Sequence, residues 1–301
     1  MRAVVYDRYG PPAGLRVEEI PMPTPTASQV LIKVAATSVN LSDWESLHGS
    51  PLYARIGGLR VPARRVLGSD IAGRVTSVGS AVTRFRLGDE VYGDNLGLKG
   101  GFAEYAVAPE SALSLKPPGL TFAEASTLPQ AGSIAFQGTA QVHPGQRVLI
   151  NGAGGGSGSF AIQLAKLLGA HVTGVDNAGK LQFMKELGAD EVVDYRCHDF
   201  TKLEPYDVVL DLVAQRSVFS YRRALTPGGR YLCVGGNAAT LVQVAILGAP
   251  LGKITGRRLG FLAVKQGPTH FARIAERCIV GDVGIHIDRN FALNQVPKAL
   301  S

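Results

Sequence analysis

A glycine-rich segment places the strongest constraint on what this chain can fold into. Residues 151–158 read Asn-Gly-Ala-Gly-Gly-Gly-Ser-Gly. They follow the apolar run 147–151 and precede residues 159–169, whose apolar positions repeat at the i, i+3, i+4 spacing of one helix face. Glycines permit a tight turn and a close approach of the backbone to a pyrophosphate, which the positive end of the following helix stabilises. A strand, a glycine loop and a helix in this order predict dinucleotide binding.

The glycines do not follow the strict G-x-G-x-x-G spacing. Counted from Gly152, the third glycine position holds Ser157, and Gly152, Gly155 and Gly158 form a denser pattern instead. The turn and the close approach remain available because they depend on the absence of side chains. We therefore expect the cofactor to contact Gly152, Gly154, Gly155, Gly156, Ser157 and Gly158.

The second predicted strand, 171–175, ends next to an acid. Asp176 stands where an acid usually accepts the ribose hydroxyls of NAD, which favours NADH. Lys180, Tyr195 and Arg196 support the opposite interpretation, because they are suited to surround an adenosine 2′-phosphate. These residues alone do not decide between NADH and NADPH.

Apolar runs and helix-period segments alternate from about residue 146 onward. This alternation is typical of βαβ units and predicts a doubly wound Rossmann-type domain with a parallel sheet. The predicted strands are 147–151, 171–175, 191–194, 207–211, 231–234 and 259–264, and the predicted helices are 159–169, 179–188 and 216–225, the last stopped by Pro227-Gly228-Gly229. The first 120 residues show short strand-like runs broken by Gly, Pro and Asp, which predict a small β-rich domain.

Charge and cysteine content exclude several classes of protein. The chain carries 31 Lys and Arg against 24 Asp and Glu with 46% hydrophobic residues, which excludes a disordered chain. The formal charge of +7 includes no run of five basic residues, so nucleic acid is not an expected partner. Three cysteines without metal-type spacing predict a reducing, cytoplasmic location. The charge-free residues 231–252 predict a buried strand, a loop and a short helix rather than a membrane span.

Several short motifs carry a resemblance to a known family. They are Ser38-Val39-Asn40-Leu41-Ser42-Asp43, Leu67-Gly68-Ser69-Asp70-Ile71-Ala72-Gly73, Gly88-Asp89-Glu90-Val91-Tyr92-Gly93, Gly101-Phe102-Ala103-Glu104-Tyr105 and Leu187-Gly188-Ala189-Asp190. Together with the glycine loop, they resemble the zinc-independent medium-chain dehydrogenases/reductases of the quinone oxidoreductase-like branch. The resemblance runs along nearly the whole chain.

The resemblance implies an α/β chain of two domains with a nicotinamide cofactor in the cleft between them. A GroES-like catalytic domain is expected over residues 1–120 and a Rossmann dinucleotide-binding domain over 121–265. Residues 266–301 would return to the catalytic domain and stop short of the family's closing strand, as if truncated. The sheet edge left without that strand would be covered, or would pair in a homodimer.

Zinc-dependent relatives hold their metal with Cys and His, and this chain departs from their pattern. Gly68-Ser69-Asp70 stands where those relatives have Gly-His-Glu, and no cysteine precedes Cys197. His48 and Asp70 lack ligand-type spacing. We expect no metal site.

The reaction that the resemblance implies is hydride transfer from NAD(P)H to a quinone or to an activated alkene or carbonyl compound. Asn40 matches the family position beside the nicotinamide and is the expected hydrogen-bond donor to the developing oxyanion. Asp43 is expected to orient neighbouring groups, and Tyr53 to offer its phenol to the substrate. The substrate would be a small molecule, and no membrane is expected as a partner.

Further cofactor contacts follow from the same resemblance. Lys180 and Tyr195 match positions that quinone reductases use around the 2′-phosphate, so NADPH is favoured narrowly over NADH, with Asp176 opposing that choice. The remaining expected contacts are Thr127, Gln130, Gly235, Gly236 and Asn237.

A second class of function stays open at this stage. The chain would then bind a nucleotide with little turnover and contact RNA or a protein partner through its basic surface. Arg55, Arg60, Arg64 and Arg65 form the local basic cluster that would serve this role. A solvated or cofactor-facing loop explains the same arginines, and we prefer the enzyme.

Overall fold

The computed structural model describes residues 1–301 and separates them into two compact units. The first unit comprises Met1–Gln130, Gln266–Ile279 and Ile285–Ser301. The second unit comprises Ala131–Lys265 and Val280–Gly284. Residues 121–130, expected in the dinucleotide-binding domain, fall in the first unit.

Thirteen strands and nine α-helices make up the two units. The strands are β1 (Arg2–Val5), β2 (Arg16–Glu19), β3 (Gln29–Ala36), β4 (Asp70–Val78), β5 (Glu90–Asp94), β6 (Tyr105–Pro109), β7 (Leu113–Leu115), β8 (Arg147–Asn151), β9 (His171–Asp176), β10 (Glu191–Asp194), β11 (Tyr206–Asp211), β12 (Leu225–Cys233) and β13 (Arg258–Phe261). The helices are α1 (Leu41–His48), α2 (Phe122–Thr127), α3 (Pro129–Thr139), α4 (Gly156–Leu167), α5 (Leu181–Glu186), α6 (Val218–Arg223), α7 (Ala238–Thr255), α8 (Pro268–Ile279) and α9 (Val296–Ala299).

The first unit is built on an antiparallel five-stranded sheet with the order β6-β3-β4-β5-β7, beside the hairpin-like pair β1-β2. Alternating apolar residues of its strands, such as Val30, Ile32 and Val75, form one buried core. Helix α2 packs against β3, β4 and β5, which explains why residues 121–130 belong to the first unit. Helix α8 returns to the same unit, where Phe271 packs edge-to-face on Tyr92.

The second unit is a parallel six-stranded sheet with the order β10-β9-β8-β11-β12-β13. This order, with the first βαβ turn at β8 and α4, is that of a doubly wound Rossmann-type domain, as the alternating pattern predicts. Helix α4 begins at Gly156, three residues earlier than expected, because Gly156, Ser157 and Gly158 of the glycine-rich segment already form its first turn.

One segment of the second unit corrects the expectation from sequence. Pro227-Gly228-Gly229 does not follow a helix that it stops, because α6 already ends at Arg223. These residues lie inside β12, where the register shifts between the pairs of Tyr206 and Val208. Gly228 has a φ of +78°, a conformation that glycine adopts without strain. The proline and glycines therefore form an irregularity in a strand.

Helix α7 is also longer than expected. It runs for 18 residues instead of forming a short helix, and by length and composition alone it meets the criteria for crossing a membrane. Its buried stripe includes Gly248 and Gly252, where an added Cβ would lie 2.8 Å and 2.7 Å from the backbone oxygens of Leu259 and Arg257. The glycines therefore let α7 pack closely against β13, and they weaken the helical signal in the sequence.

Candidate active site

Asn40 and Asp43, two of the residues that the resemblance implies for catalysis, lie at the start of α1. Asn40 is the N-cap of α1, and its backbone N–H donates to Asp43 Oδ2 at 3.1 Å. The helix ends at His48 and is capped by Gly49, whose φ of +62° closes the last turn. This capped, eight-residue helix fixes Asn40 and Asp43 relative to each other.

Asp43 is fully buried and binds two other parts of the first unit. Its Oδ1 accepts from the backbone N–H of Gly68 at 3.0 Å and lies 3.4 Å from Lys99 Nζ. Burial raises the pKa of Asp43, and the Lys99 ammonium opposes that rise. Asp43 thus ties the start of α1 to the turn before β4, and an orienting role in catalysis stays a prediction.

Lys99 was missed by sequence reasoning. It is nearly buried and has a φ of +57°, which is unusual for a residue with a side chain. Asn95 holds it there, because Asn95 Nδ2 donates to the Lys99 carbonyl at 2.6 Å. The only hint in the sequence is a single lysine within the otherwise uncharged residues 95–103.

Asp70 collects three of the site's hydrogen bonds. It opens β4, is fully buried, and accepts from Ser38 Oγ at 2.8 Å, Asn40 Nδ2 at 2.9 Å and the backbone N–H of Gln130 at 3.1 Å. Gln130 in turn accepts from Ser42 Oγ at 2.9 Å. The structure therefore brings Asn40, Asp43 and Gln130 into one network, with Asp70 at its centre.

The amide of Asn40 points into this network. Its Nδ2 donates to Asp70 Oδ2 and lies 3.1 Å from Ser38 Oγ, which engages both of its hydrogens. Donation to a substrate oxygen requires one of these bonds to be exchanged. The substrate-facing role of Asn40 stays a prediction.

An exposed apolar loop, residues 52–61, follows α1. Leu52 and Ile56 are 79% and 83% exposed, and Leu59 and Val61 are also exposed. Tyr53 lies in this loop and donates its hydroxyl to Glu45 Oε1 at 2.7 Å, so its phenol is already bonded within the first unit. Apolar side chains held outward on an anchored loop offer a surface to an apolar molecule.

Thr127 lies at the end of α2, apart from the Asp70 network. Its hydroxyl donates to the Glu124 carbonyl at 2.8 Å, as is common for threonine in a helix. Contact with a cofactor stays a prediction for this residue.

The donor set of this site does not suit zinc. The structure contains no group of three or more His, Cys, Asp or Glu side chains placed to hold a metal ion. The Asp70 carboxylate already accepts from Ser38 and Asn40, and Ser69 Oγ lies 3.4 Å from Asn40 Nδ2. The Lys99 ammonium beside Asp43 would repel a metal cation. Asp70 is a buried strand residue here, and His48 stacks on Trp44.

The glycine loop of the second unit has the geometry of an anion site. Gly152 has a φ of +84°, and Gly155 is the N-cap of α4. Gly156 and Ser157 form the first turn of this helix, whose N–H groups have no acceptor within the helix. Because Gly155 and Gly156 are exposed, a phosphate can reach these amides.

Gly158 serves packing in the same loop. An added Cβ would lie 2.3 Å from the Gly152 carbonyl oxygen and 2.5 Å from Ala153 Cα. Only a residue without a side chain lets α4 approach the turn this closely. Gly154 is similarly close to Lys180, whose Cβ would lie 2.7 Å from an added Cβ.

Asp176 ends β9 beside the glycine loop. Its Oδ2 accepts from the Gly154 N–H at 3.0 Å, and its Oδ1 accepts from the backbone and side chain of Asn177. Tyr195 donates its backbone N–H to the Asp176 carbonyl at 3.2 Å, and its half-exposed side chain lies near Arg196. The structure brings Asp176, Lys180 and Tyr195 together at the edge of the loop.

Gly235, Gly236 and Asn237 form the turn between β12 and α7. The backbone of Ala214 pairs with Gly235 and Asn237 at 2.8 Å and 2.9 Å. Asn237 Oδ1 accepts from the Thr240 N–H at 2.8 Å and so caps α7. These roles are structural, and cofactor contact by the three residues stays a prediction.

Comparison with known proteins supports the folds of both units. The family model "Alcohol dehydrogenase GroES-like domain" matches residues 26–118, and "Zinc-binding dehydrogenase" matches residues 156–266. The chain is 33% identical to quinone-oxidoreductase QR1, chloroplastic, of Triphysaria versicolor, over 99% of this chain and 93% of that protein. It is also 33% identical to the NADPH-dependent alkenal/one oxidoreductase, chloroplastic, of Arabidopsis thaliana, over 92% of this chain and 75% of that protein.

A solved structure gives the same result. The quinone oxidoreductase from Coxiella burnetii is 31% identical, with a TM-score of 0.89 over 99% of this chain and 94% of that chain. The first unit thus has the GroES-like fold and the second unit the Rossmann-type fold that the sequence motifs imply. The chain therefore belongs to the medium-chain dehydrogenase/reductase family of oxidoreductases, in the group that contains the quinone oxidoreductases.

Proposed function

We propose that this protein reduces a quinone or an alkene conjugated to a carbonyl group, using NAD(P)H and no metal ion. The observation that carries the proposal is the open glycine loop at the start of α4, with exposed amides suited to a pyrophosphate. Bound NAD(P)H would supply the hydride. Relatives with names that state quinone and alkenal/one reduction support the same substrate class.

Residues of the first unit would hold the substrate. The apolar loop 52–61 suits the ring or alkyl part of a quinone or enone, since burying its exposed Leu52 and Ile56 against such a molecule is favourable. The polar segment 38–43 would face the substrate oxygen. Its half-buried hydrogen-bonding side chains are Ser38, Asn40 and Ser42.

The proposal is tested by nucleotide titration and turnover with the metal content known. We expect NADPH and NADH to quench intrinsic fluorescence on binding, and NADPH to be oxidised by a water-soluble benzoquinone or an α,β-unsaturated ketone after treatment with a chelator. Stoichiometric zinc that is needed for turnover, or the absence of binding by both nucleotides, would contradict the proposal.

We favour NADPH as the reductant. A 2′-phosphate carries about −1.5 to −2 charges at neutral pH and needs cations and hydrogen-bond donors. Lys180 and Arg196 supply the charge, and Tyr195 a surface for the adenine. Asp176 opposes this choice, although both of its oxygens already accept hydrogen bonds from the protein.

Lys180→Gln should weaken NADPH binding about tenfold or more and change NADH binding by less than about twofold. A hydrogen bond between charged groups contributes about 1.5–3 kcal/mol, and only NADPH carries the 2′-phosphate that Lys180 would bind. Dissociation constants from fluorescence titration measure both effects. Lys185→Gln, an exposed lysine of α5, is the matched control and should change neither constant.

A substitution of Asp176, the acid beside Lys180, tests whether NADH is the reductant instead. If the wild type prefers NADH more than about tenfold and Asp176→Gly shifts the preference to NADPH, then Asp176 binds the ribose hydroxyls and NADH is the reductant.

The alternative of a binding protein that contacts RNA has less support from the structure than from the sequence. Arg65 pairs with Asp7 and Glu18, and the Arg55 guanidinium donates to the Gly49 carbonyl and lies over Tyr9. Two of the four arginines, Arg55 and Arg65, therefore already contact other groups of the first unit. A homodimer and a cytoplasmic location stay predictions, while several plant relatives carry "chloroplastic" in their names.

A further inference from the structure

Three carboxyl groups lie close together inside the first unit with a single ammonium group. Asp43 and Asp70 are fully buried, Asp94 is mostly enclosed, and Lys99 is nearly buried. The Lys99 ammonium is 3.4 Å from Asp43 Oδ1 and 3.4 Å from the Ser42 carbonyl oxygen, so its charge compensates that of Asp43. With all four groups ionised, two negative charges would remain uncompensated away from water, which burial strongly disfavours.

Asp70 and Asp94 form the part of this cluster that lacks a cation of its own. They are direct partners in the register of the antiparallel strands β4 and β5. Like charges placed directly opposite each other destabilise a strand pair. Asp94 accepts one hydrogen bond, from the Leu96 N–H at 3.0 Å. A proton held by the pair removes the repulsion.

The electrostatic surroundings favour such a proton. Burial is the main cause that raises the pKa of both carboxyls, and for Asp70 the charge of Asp94 is the next. The pKa of Asp94 rises to about 6. The other charged groups that act on the pair are Asp43 from α1, which raises both pKa values, and Lys99 from the loop after β5, which lowers that of Asp94. Two coupled carboxyls of this kind titrate as one unit.

A hydroxyl connects Asp70 to the edge of the site. Ser38 Oγ donates to Asp70 Oδ2 at 2.8 Å, and the direction of this bond reverses when Asp70 carries a proton on that oxygen. Ser38 is half-buried next to the exposed Val39. A serine hydroxyl can accept a proton on one side while it releases its own on the other. The amide of Asn40, which bonds to the same carboxyl oxygen, only donates hydrogen bonds through its nitrogen.

We propose that the Asp70–Asp94 pair holds one proton at neutral pH and delivers it through the Ser38 hydroxyl to the oxygen of the reduced substrate. The proposal rests on the proposed function. It makes Ser38 a catalytic residue and the buried pair its proton source.

The step balances in atoms and charge. Hydride addition from NAD(P)H forms a C–H bond on the substrate and leaves an electron pair on its oxygen as an enolate or quinolate. That oxygen takes the proton of Ser38 Oγ, while Ser38 Oγ takes the proton of Asp70. The pair is then doubly ionised and regains a proton from water through Asp94, its less buried member.

The shared proton can be tested without any substrate. Protein labelled with ¹³C at the aspartate carboxyls should show a protonated buried carboxyl at neutral pH in the wild type. Asp70→Asn should remove this signal, and Asp94→Asn should move its titration to lower pH because the neighbouring charge is gone. Glu19→Gln, an exposed acid of β2, should leave it unchanged. A spectrum in which every aspartate is ionised at neutral pH would overturn the proposal.

Delivery of the proton is tested in turnover. Ser38→Ala should lower kcat about 100-fold and increase the solvent deuterium isotope effect, with little change in the KM for NADPH, because a general acid typically contributes 10²–10⁴-fold. Ser38→Thr keeps the hydroxyl and should restore most of the rate. Asp94→Asn should shift the pH profile of kcat toward lower pH. Thermal denaturation confirms that each variant is folded.

The outcomes separate the two proposals. An unchanged kcat and isotope effect in Ser38→Ala overturns delivery through Ser38. If no quinone or enone supports NADPH oxidation by the wild type, the proposed function is overturned. The carboxyl spectrum then still decides whether the pair holds a proton.

Discussion

Gly158→Ala should destabilise the second unit by about 1–3 kcal/mol and weaken nucleotide binding at least about tenfold. The added Cβ would lie 2.3 Å from the Gly152 carbonyl oxygen, closer than any real contact of this kind, so the turn or α4 must move. The amides proposed to bind the pyrophosphate belong to the same turn and would move with it. Denaturant unfolding and fluorescence titration with NADPH measure the two effects.

The sign of the stability change makes this prediction specific. Without a clash, replacing glycine by alanine inside a helix stabilises it by about 0.5–1 kcal/mol. Gly156→Ala, at the start of the same helix, is the stability control, because its Cβ would meet only Ala131 Cβ at an ordinary 3.6 Å. A Gly158→Ala variant as stable as the wild type would show that the turn yields freely and that Gly158 is not needed for packing.

The nucleotide loop could be predicted from the sequence because its signal is local. The strand, the glycines and the helix lie within about 30 consecutive residues, and each has its own pattern. The strand β8 has the predicted bounds, and α4 differs by a few residues at each end. The conformation of this segment is therefore determined mainly by its own residues and depends little on the rest of the chain.

The buried charges could not be found in this way. Lys99 and Asp43 are 56 residues apart, and Asp70 meets Asp94 only because of the register of β4 and β5. Nothing in a single sequence tells a buried acid from an acid in an exposed turn when its partner is distant. Asn40 and Asp43 were singled out through resemblance, whereas Ser38 and Lys99 were not, since their contacts appear only in the folded unit.

Helix α7 shows a second limit. Gly248, Pro250 and Gly252 weaken the helical signal, so the sequence favours a short helix. In the fold, the two glycines are needed where α7 approaches β13, and the packing outweighs their low helix propensity. Sequence patterns therefore predict this unit's architecture better than the lengths of its elements.

Lys99→Met should destabilise the first unit by about 3–5 kcal/mol, because it leaves the buried carboxylate of Asp43 without its cation. Asp43 would keep its bonds from Gly68 and Asn40, which do not neutralise its charge. Methionine has about the volume of lysine without its ammonium, so the loss reports mainly on charge. Denaturant unfolding at about pH 8 measures it.

The pH dependence identifies the cause. Burial already raises the folded-state pKa of Asp43, and loss of Lys99 raises it further. An acid with a raised folded-state pKa adds stability that is fully present below its unfolded pKa of about 3.9 and is lost as pH rises through the folded value. The deficit of Lys99→Met should therefore shrink as the pH falls, because Asp43 takes up a proton and no longer needs a cation.

Two further variants separate the ion pair from a general loss of packing. Lys33→Met, on the exposed face of β3, should change stability by less than about 0.5 kcal/mol. Asp43→Asn combined with Lys99→Met should be less destabilised than the sum of the two single changes, since neither charge is then left alone. Equal losses for Lys99→Met at about pH 5 and pH 8 would contradict the electrostatic account, because a deficit caused by the unpaired charge of Asp43 must fall as Asp43 takes up a proton. If the deficit does shrink, the Lys99 ammonium is what keeps Asp43 ionised in a network where the neighbouring Asp70 and Asp94 have no cation of their own.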